Sequence, residues 1–398
     1  MNEQWHPITY EIVPWQSKLD FTYISKRQKS KIKAEYLAAI PLKIEGIEID
    51  LTKEIQLLLD EVLVAITRFD AIQQEKKYSF PALLLRSESA ASSQIENLTS
   101  SVRNIALAEL NVKAPHNAKL IFGNVKAMRE GIKSDSDIDK DVIKEIHKTL
   151  IEPSGEDFGG HFRDEQVWIG GNSYSPHDAL FVPPVADRLD EYLDDIISFS
   201  KREDINPIVK TALFHAQFET IHPFVDGNGR TGRTLIHRML KAEQILLSVT
   251  LPVSSDLLAN IDSYMSAIKE YQNGDPLPII VQISEALKLA VNIGTKISEK
   301  IDKTLDRWLT RIDQRRNKNL VNLLYLLVEN PVVNSQLASE KMGISIRTAN
   351  NLLNKAKENQ IIRQVGTERR GIYYQSDEII SIFDEITDTK GLYRLFST

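Results

Sequence analysis

The chain has 398 residues, 42% hydrophobic and 26% charged, the ordinary balance of a folded chain with a sizeable core and about two or three domains. Its net charge of −6 offers no global attraction for nucleic acid or another polyanion. The absence of cysteine excludes disulfides and thiolate metal sites and fits a reducing cytosol, so a cytoplasmic location is expected. No charged-then-apolar segment opens the chain and no apolar run approaches bilayer-spanning length, so no membrane partner is expected.

Trp5 to Pro14 carries two prolines and reads as an irregular arm, and Lys18 to Tyr36 is charged with weak helical periodicity. From Leu51 to Ile72, Ile55, Leu58, Leu59, Val62, Ile66 and Phe69 recur at three- and four-residue spacing. That spacing predicts an amphipathic helix in a packing layer. Pro81 suits the first turn of another helix, with Leu83, Leu84, Ala91 and Ile95 following and Asn97 placed for its C-terminal cap. Ala118 to Gly131 and Asp139 to Leu150 read as helices. A Gly-rich stretch, Gly155 to Gly171, contains Gly159-Gly160-His161-Phe162-Arg163. Val167 to Gly171 and Ala179 to Pro183, around polar Asn172 to Asp178, give a hairpin signal. His161, His177 and His215 share no metal-ligand spacing and read as structural.

Two apolar-periodic runs, Ile208 to Ile221 and Thr234 to Leu247, predict helices on either side of His222-Pro223-Phe224-Val225-Asp226-Gly227-Asn228-Gly229-Arg230-Thr231-Gly232-Arg233. The loop between them is chemically loaded. Gly227 and Gly229 permit positive φ and close backbone approach to a ligand. Successive N–H groups in such a turn, followed by a helix N-terminus, suit an anion. Arg230 and Arg233, three apart, add two guanidiniums suited to a polyphosphate. Asp226 is a hard oxygen ligand for a magnesium ion that takes its other oxygens from phosphate and water. His222 titrates near neutrality and can accept a proton from a hydroxyl. Together these residue types describe transfer of a phosphate-linked group from a nucleotide to a hydroxyl. His215 and Glu219, on the preceding helix, read as supports of this loop. Leu257 to Tyr271 reads as a further helix, with Tyr264 and Tyr271 on one face, and Leu277 to Leu309 continues helical.

The twelve-residue stretch resembles the signature of the Fic (filamentation induced by cAMP) family, His-Pro-Phe-x-Asp/Glu-Gly-Asn-Gly/Lys-Arg-x-x-Arg, and all nine specified positions match. The resemblance implies a mainly α fold: a helical core with a β-hairpin flap. It implies AMP transfer from ATP, with Mg2+, to a Ser, Thr or Tyr hydroxyl of a target protein, with room for self-modification and for a homodimer. His222 would be the general base and Asp226 the metal ligand. The backbone of Gly227, Asn228 and Gly229 would cradle the α-phosphate side. Arg230 and Arg233 would hold the β- and γ-phosphates, with Thr231 and Gly232 between them. Tyr264 and Tyr271 would flank the adenine, core packing being an equal contender. Trp168, Ile169 and Gly170 would belong to the flap that holds the target backbone by strand addition. Ser92-Ser93-Gln94-Ile95-Glu96-Asn97 resembles the family's inhibitory motif, Ser/Thr-x-x-x-Glu-Gly/Asn. That gives Ser92, Glu96 and Asn97 a regulatory role: Glu96 would pair with Arg233 and deny it to the γ-phosphate.

Beyond a charged linker, Leu320 to Glu329, Asn334 to Gly343 and Ser345 to Asn359 read as helices. Ile361 to Val365 and Ile372 to Tyr374 are strand-like. This order resembles a winged helix. Residues 319 to 375 hold seven Lys or Arg against four Asp or Glu, so the patch formed by Arg347, Lys355, Arg369 and Arg370 is thin. Protein contacts are therefore favoured over DNA binding. The expected division is an N-terminal helical region (1–112) with its inhibitory helix near 80–97, a Fic core (113–305), a linker (306–319) and a winged helix (320–398). Two other readings stay open: a transcriptional regulator whose Fic part senses a nucleotide, and a Fic enzyme that removes AMP or transfers another phosphate-linked group.

Overall fold

The computed structural model describes residues 4–15, 25–76, 78, 81–110, 113–133, 137–367 and 371–387. It is mainly α, as the sequence pattern predicts. The first departure comes at the N-terminal arm. Thr9–Pro14 is a strand (β1) that pairs antiparallel with Glu35–Ile40 (β2), in the register Ile12 opposite Leu37. A short helix, α1 (Lys26–Lys29), lies between them. Ala39 N–H also donates to Val182 O (3.0 Å), so this ribbon braces the segment expected to form the flap.

The helical body follows. The amphipathic α2 (Lys53–Gln74) is capped by Thr52, which accepts from Ile55 N–H, and buries Ile55, Leu59, Val62, Ile66 and Phe69. α3 (Pro81–Ile95) is buried from Leu84 to Ser93 without interruption, so it is a core helix and not one laid on a surface. It ends in a Schellman turn: Leu98 N–H donates to Ser93 O, Asn97 N–H to Gln94 O, and Asn97 sits at φ 61°. That left-handed position is why Asn or Gly suits residue 97. α4 (Val102–Glu109), α5 (His116–Gly131), α6 (Lys140–Ile151) and α7 (Leu189–Ser200) lead to the centre of the body.

There, α8 (Pro207–Ile221) buries thirteen of its fifteen residues, and α9 (Asn228–Ala242) is buried from Asn228 to Leu240. α9 starts at Asn228, inside the signature and six residues before the predicted start, because Gly227 at φ 79° is its N-cap. The predicted helix 257–271 is likewise two, α10 (Val253–Ala259) and α11 (Ile261–Gln272), broken at Asn260. α12 (Leu277–Thr310) corrects the reading that no apolar run is long enough to span a bilayer. By length and composition it is, but 56% of its apolar window is buried inside the body.

The C-terminal part holds α13 (Lys318–Glu329), β3 (Val332–Val333), α14 (Ser335–Met342), α15 (Ile346–Glu358), β4 (Arg363–Thr367), β5 (Gly371–Gln375) and α16 (Asp377–Thr387). Its sheet is antiparallel in the order β3-β5-β4. Asn334 and Ser345 cap α14 and α15 through their side chains. Arg347 and Lys355 are exposed on α15, whereas Arg369 and Arg370 lie outside the described residues. Trp308 of α12 and Leu320, Leu327, Leu353 and Phe383 of the C-terminal part lie in one continuous apolar cluster with the helical body.

Candidate active site

His222 closes α8. Its own backbone is left-handed (φ 51°, ψ 61°), and its N–H bonds Phe218 O at 2.9 Å. The imidazole Nδ1 lies 3.2 Å from Glu219 O. A carbonyl only accepts, so Nδ1 carries the hydrogen and Nε2 keeps its lone pair. Burial lowers the imidazole pKa to about 4, with the carbonyl of Glu219 opposing and Arg163 assisting. The ring is therefore neutral at pH 7, the state a general base requires.

The loop is locked by its own side chains. Asn228 Oδ1 accepts from Phe224 N–H, and its Nδ2 donates to Phe224 O, both at 2.8 Å. The Asn228 side chain is thus committed, and only its backbone remains for a ligand. The first intrahelical bond of α9 is Thr231 N–H to Gly227 O. The N–H groups of Asn228, Gly229 and Arg230 precede it and have no intrahelical acceptor. A Cβ on Gly229 would come 2.2 Å from Glu96 Oε1 and 2.9 Å from Arg233 Nη1, so bare backbone is required there. Gly232 has a different duty from the one its place in the signature suggests. A Cβ on it would sit 2.7 Å from Glu219 Oε1 and 3.1 Å from the Phe218 ring. Gly232 thus lets α9 touch α8, and the side chain of Thr231 is fully buried. Asp226 is 65% exposed at its side chain; Oδ1 accepts from Gly227 N–H (2.7 Å) and Oδ2 lies 3.3 Å from Arg230 Nη2.

Arg233 and the last turn of α3 form the tightest cluster of the site. Arg233 Nε donates to Ser92 Oγ (2.9 Å), and Nη2 donates to Ser92 O (2.9 Å) and Glu96 Oε1 (2.8 Å). Residues 92 and 96 share a helix face, so one guanidinium reaches both. Burial would raise the Glu96 pKa, but the charge and hydrogen bond of Arg233, with the charge of Arg230, outweigh it and hold the carboxyl below its usual range. Burial would lower that of Arg233, and the Glu96 charge more than reverses this.

Tyr264 and Tyr271 do not present open ring faces. Tyr264 Oη lies 2.8 Å from His215 Nε2, and Tyr271 Oη donates to Gln217 Oε1 at 2.9 Å. Both are core residues against α8, with Trp5 edge-on to Tyr271. Their shared face is real, but it is directed inward. The predicted hairpin is reduced to a single antiparallel bridge, Ile169 with Phe181, made by Ile169 N–H to Phe181 O (2.8 Å) and Phe181 N–H to Ile169 O (3.3 Å), with Leu180 N–H also donating to Ile169 O (2.8 Å). Gly170 and Gly171, both at positive φ, bend the chain just after it, which keeps regular pairing short. Ile169 turns its backbone groups inward, and Trp168 packs edge-on against Trp15.

Two residues that sequence reasoning left without a role hold the loop from outside. His147 of α6 stacks on Phe224 (3.6 Å between centroids, 12°). It accepts from Gly160 N–H at Nδ1 (3.0 Å), so its Nε2–H donates to Asp226 O (2.9 Å). Burial lowers its pKa to about 4, keeping that tautomer neutral. The other is Arg163, whose partners are taken up below. No local pattern marks either, because their partners are far along the chain. Glu219 is half-buried, with its Oε1 buried against the Gly232 backbone, and burial pushes its pKa up to about 7.

No cluster of three or more metal-ligating side chains exists among the described residues. A magnesium ion would have Asp226 as its protein carboxylate and take phosphate and water oxygens besides. The exposed Asp226, beside unspent helix N–H groups, fits that arrangement.

Residues 137–240 match the Fic/DOC family, so the chain carries a Fic domain. It is 32% identical over 134 residues to a probable protein adenylyltransferase of Aquifex aeolicus, covering 31% of this chain and 39% of that one. It is 35% identical over 101 residues to a protein adenylyltransferase Fic of Drosophila willistoni, covering 25% and 19%. The chain thus spans well under half the length of these curated relatives. A crystal structure of a Fic family protein from Desulfovibrio desulfuricans shares the fold, with TM-score 0.55, 22% identity, and coverage of 82% of this chain and 97% of that one.

Proposed function

We propose that the chain transfers AMP from ATP to a hydroxyl side chain of a target protein. The observation that carries this reading is the neutral His222, with its Nε2 lone pair available, one loop away from the unpaired N-terminal N–H groups of α9. In the proposed reaction the target hydroxyl oxygen bonds to the α-phosphorus. The bond from that phosphorus to the α,β-bridging oxygen breaks, pyrophosphate departs, and His222 takes the hydroxyl proton. The α9 N-terminus and Arg230 hold phosphate oxygens, and Asp226 would hold a magnesium ion that neutralises phosphate charge. Trp168, Ile169 and Gly170 would belong to the flap segment that pairs with the target strand.

Glu96 restrains the reaction by occupying Arg233. A triphosphate tail that cannot reach this arginine leaves the α-phosphorus out of line with the hydroxyl. The C-terminal helices and sheet act as a winged helix that contacts protein. Purified protein with α-labelled ATP and magnesium tests the reaction. Label should enter protein with wild-type His222 and be absent with His222→Ala, while calorimetry shows ATP binding within a few-fold. Equal loss of binding and transfer would contradict the base assignment. Nanomolar, sequence-specific DNA binding by the full chain at physiological salt would instead favour a regulator.

A further inference from the structure

The same Gly-rich stretch that gives His147 its partner ends at Arg163, which is 4% exposed. Every hydrogen bond of this residue runs to a main-chain carbonyl. Its N–H donates to Pro223 O (2.9 Å), Nε to His222 O (2.8 Å) and Nη1 to Glu165 O (3.0 Å). Nη2 donates to Pro184 O (2.6 Å) and, at 3.4 Å, to Ile221 O. None of these partners is a carboxylate. A buried guanidinium without a counter-ion is an expensive arrangement. Burial lowers its pKa to about 10, which still leaves it cationic at neutral pH.

The acceptors fall into two groups. Ile221 O and His222 O are carbonyls at the C-terminus of α8, where intrahelical donors run out and the helix dipole is negative. His222 is also left-handed without being glycine, a conformation that persists only when its surroundings hold it. Glu165 O and Pro184 O belong to the two chain segments that enter and leave the flap. One planar fork therefore ties the backbone of the base to both ends of the element expected to present the hydroxyl.

We propose that Arg163 is a positioning residue that keeps the His222 imidazole in register with the flap, so that the target hydroxyl meets the Nε2 lone pair. This rests on the AMP-transfer reading above. It adds a specific division of labour: Arg163 serves the hydroxyl side of the reaction and not the nucleotide side.

The experiment uses full-length protein carrying Glu96→Gly, with Arg163→Gln and Arg163→Lys added separately. Arg163→Gln should lower kcat on a protein acceptor by about 10²-fold, the effect of misplacing a reacting group by about an ångström. It should raise KM for that acceptor and leave KM for ATP within two-fold. NMR titration of His222, which is flanked by Arg163, Glu96 and Asp226, gives a readout that needs no transfer. Its pKa should rise in Arg163→Gln, because a neighbouring cation has been removed. Arg163→Lys keeps the charge but not the fork. It should leave the His222 titration near that of the parent, yet lose at least ten-fold in acceptor-dependent kcat. Should Arg163→Gln fail to fold, Arg163→Lys decides alone. Transfer equal to the parent in Arg163→Lys, or a shared loss of ATP and acceptor affinity, would overturn the proposal. A parent that transfers no label, with the NMR shifts as expected, would count against AMP transfer and not against the placement of His222 by Arg163.

Discussion

Arg163 and Arg233 are both buried cations attached to the 222–233 loop, and they are held in opposite ways. Arg163 grips its beginning through carbonyls alone, groups that neither titrate nor leave without unfolding the backbone. Arg233, at its end, is held by one turn of α3 through a hydroxyl, a carbonyl and the Glu96 carboxylate. Glu96 is the C-cap residue of α3, and its side chain is 38% exposed. The helix behind it is anchored independently. Asn124 Nδ2 donates to Ser89 O (3.0 Å), Glu88 accepts from Ser254 N–H (2.8 Å), and Arg86 pairs with Glu109 (2.6 Å) and also donates to Glu329 O. The difference teaches where movement is cheap. His222 is fixed to the scaffold, whereas Arg233 is released if a single Schellman turn frays while Leu84 to Ser93 stay in place.

The comparison can be broken first at its fixed end. His222→Ala, in a chain freed by Glu96→Gly, should lose about 10²–10⁴ in transfer rate, the usual contribution of a general base. Asp226→Ala should lose on the order of 10²-fold and leave the remainder insensitive to magnesium, since an ion on transferring phosphate is worth several kcal/mol. An unchanged magnesium titration would place the metal elsewhere. A smaller effect should come from loosening the releasable end without touching charge. Asn97→Ala puts a less tolerant residue at φ 61° and weakens the turn by roughly 1 kcal/mol, which should raise transfer about five-fold over wild type. Circular dichroism should show the same helix content; if transfer stays at the wild-type level, turn fraying is not the route to release.

The smallest effect is that of pH. Protonation destroys the base, and burial lowers the pKa of His222 to about 4, so the base form survives well below the ordinary histidine range. The acid limb of kcat/KM for the freed chain should therefore lie below pH 6, with less than about a two-fold change between pH 7 and pH 6. A midpoint near 6.5 would mean that the imidazole is solvated and loosely held.

Much of the loop's geometry was legible because it is local. His222, Asp226, Arg230 and Arg233 lie within one helix–loop–helix, and the Ser92, Glu96, Asn97 spacing follows from a single helix face ending in a left-handed residue. The α2 stripe is local in the same sense. What escaped depends on distant partners. The β1–β2 ribbon pairs Thr9–Pro14 with Glu35–Ile40, segments far apart along the chain whose prolines and charges give no strand alternation of their own. The duties of His147 and Arg163 exist only once α6 and the Gly-rich stretch fold over the loop. Tyr264 and Tyr271 share a face as read, but periodicity cannot tell a face turned toward a ligand from one turned toward α8.

The account stands on Glu96 holding Arg233 in reserve. The direct test is incorporation of label from α-labelled ATP, into target protein or into the chain itself, by wild type, Glu96→Gly, and Glu96→Gly combined with Arg233→Ala. Freeing the arginine restores in-line phosphate placement, so Glu96→Gly should exceed wild type by on the order of 10²-fold, and the double variant should lose that gain. A single variant no more active than wild type, or a double variant as active as the single, would contradict it.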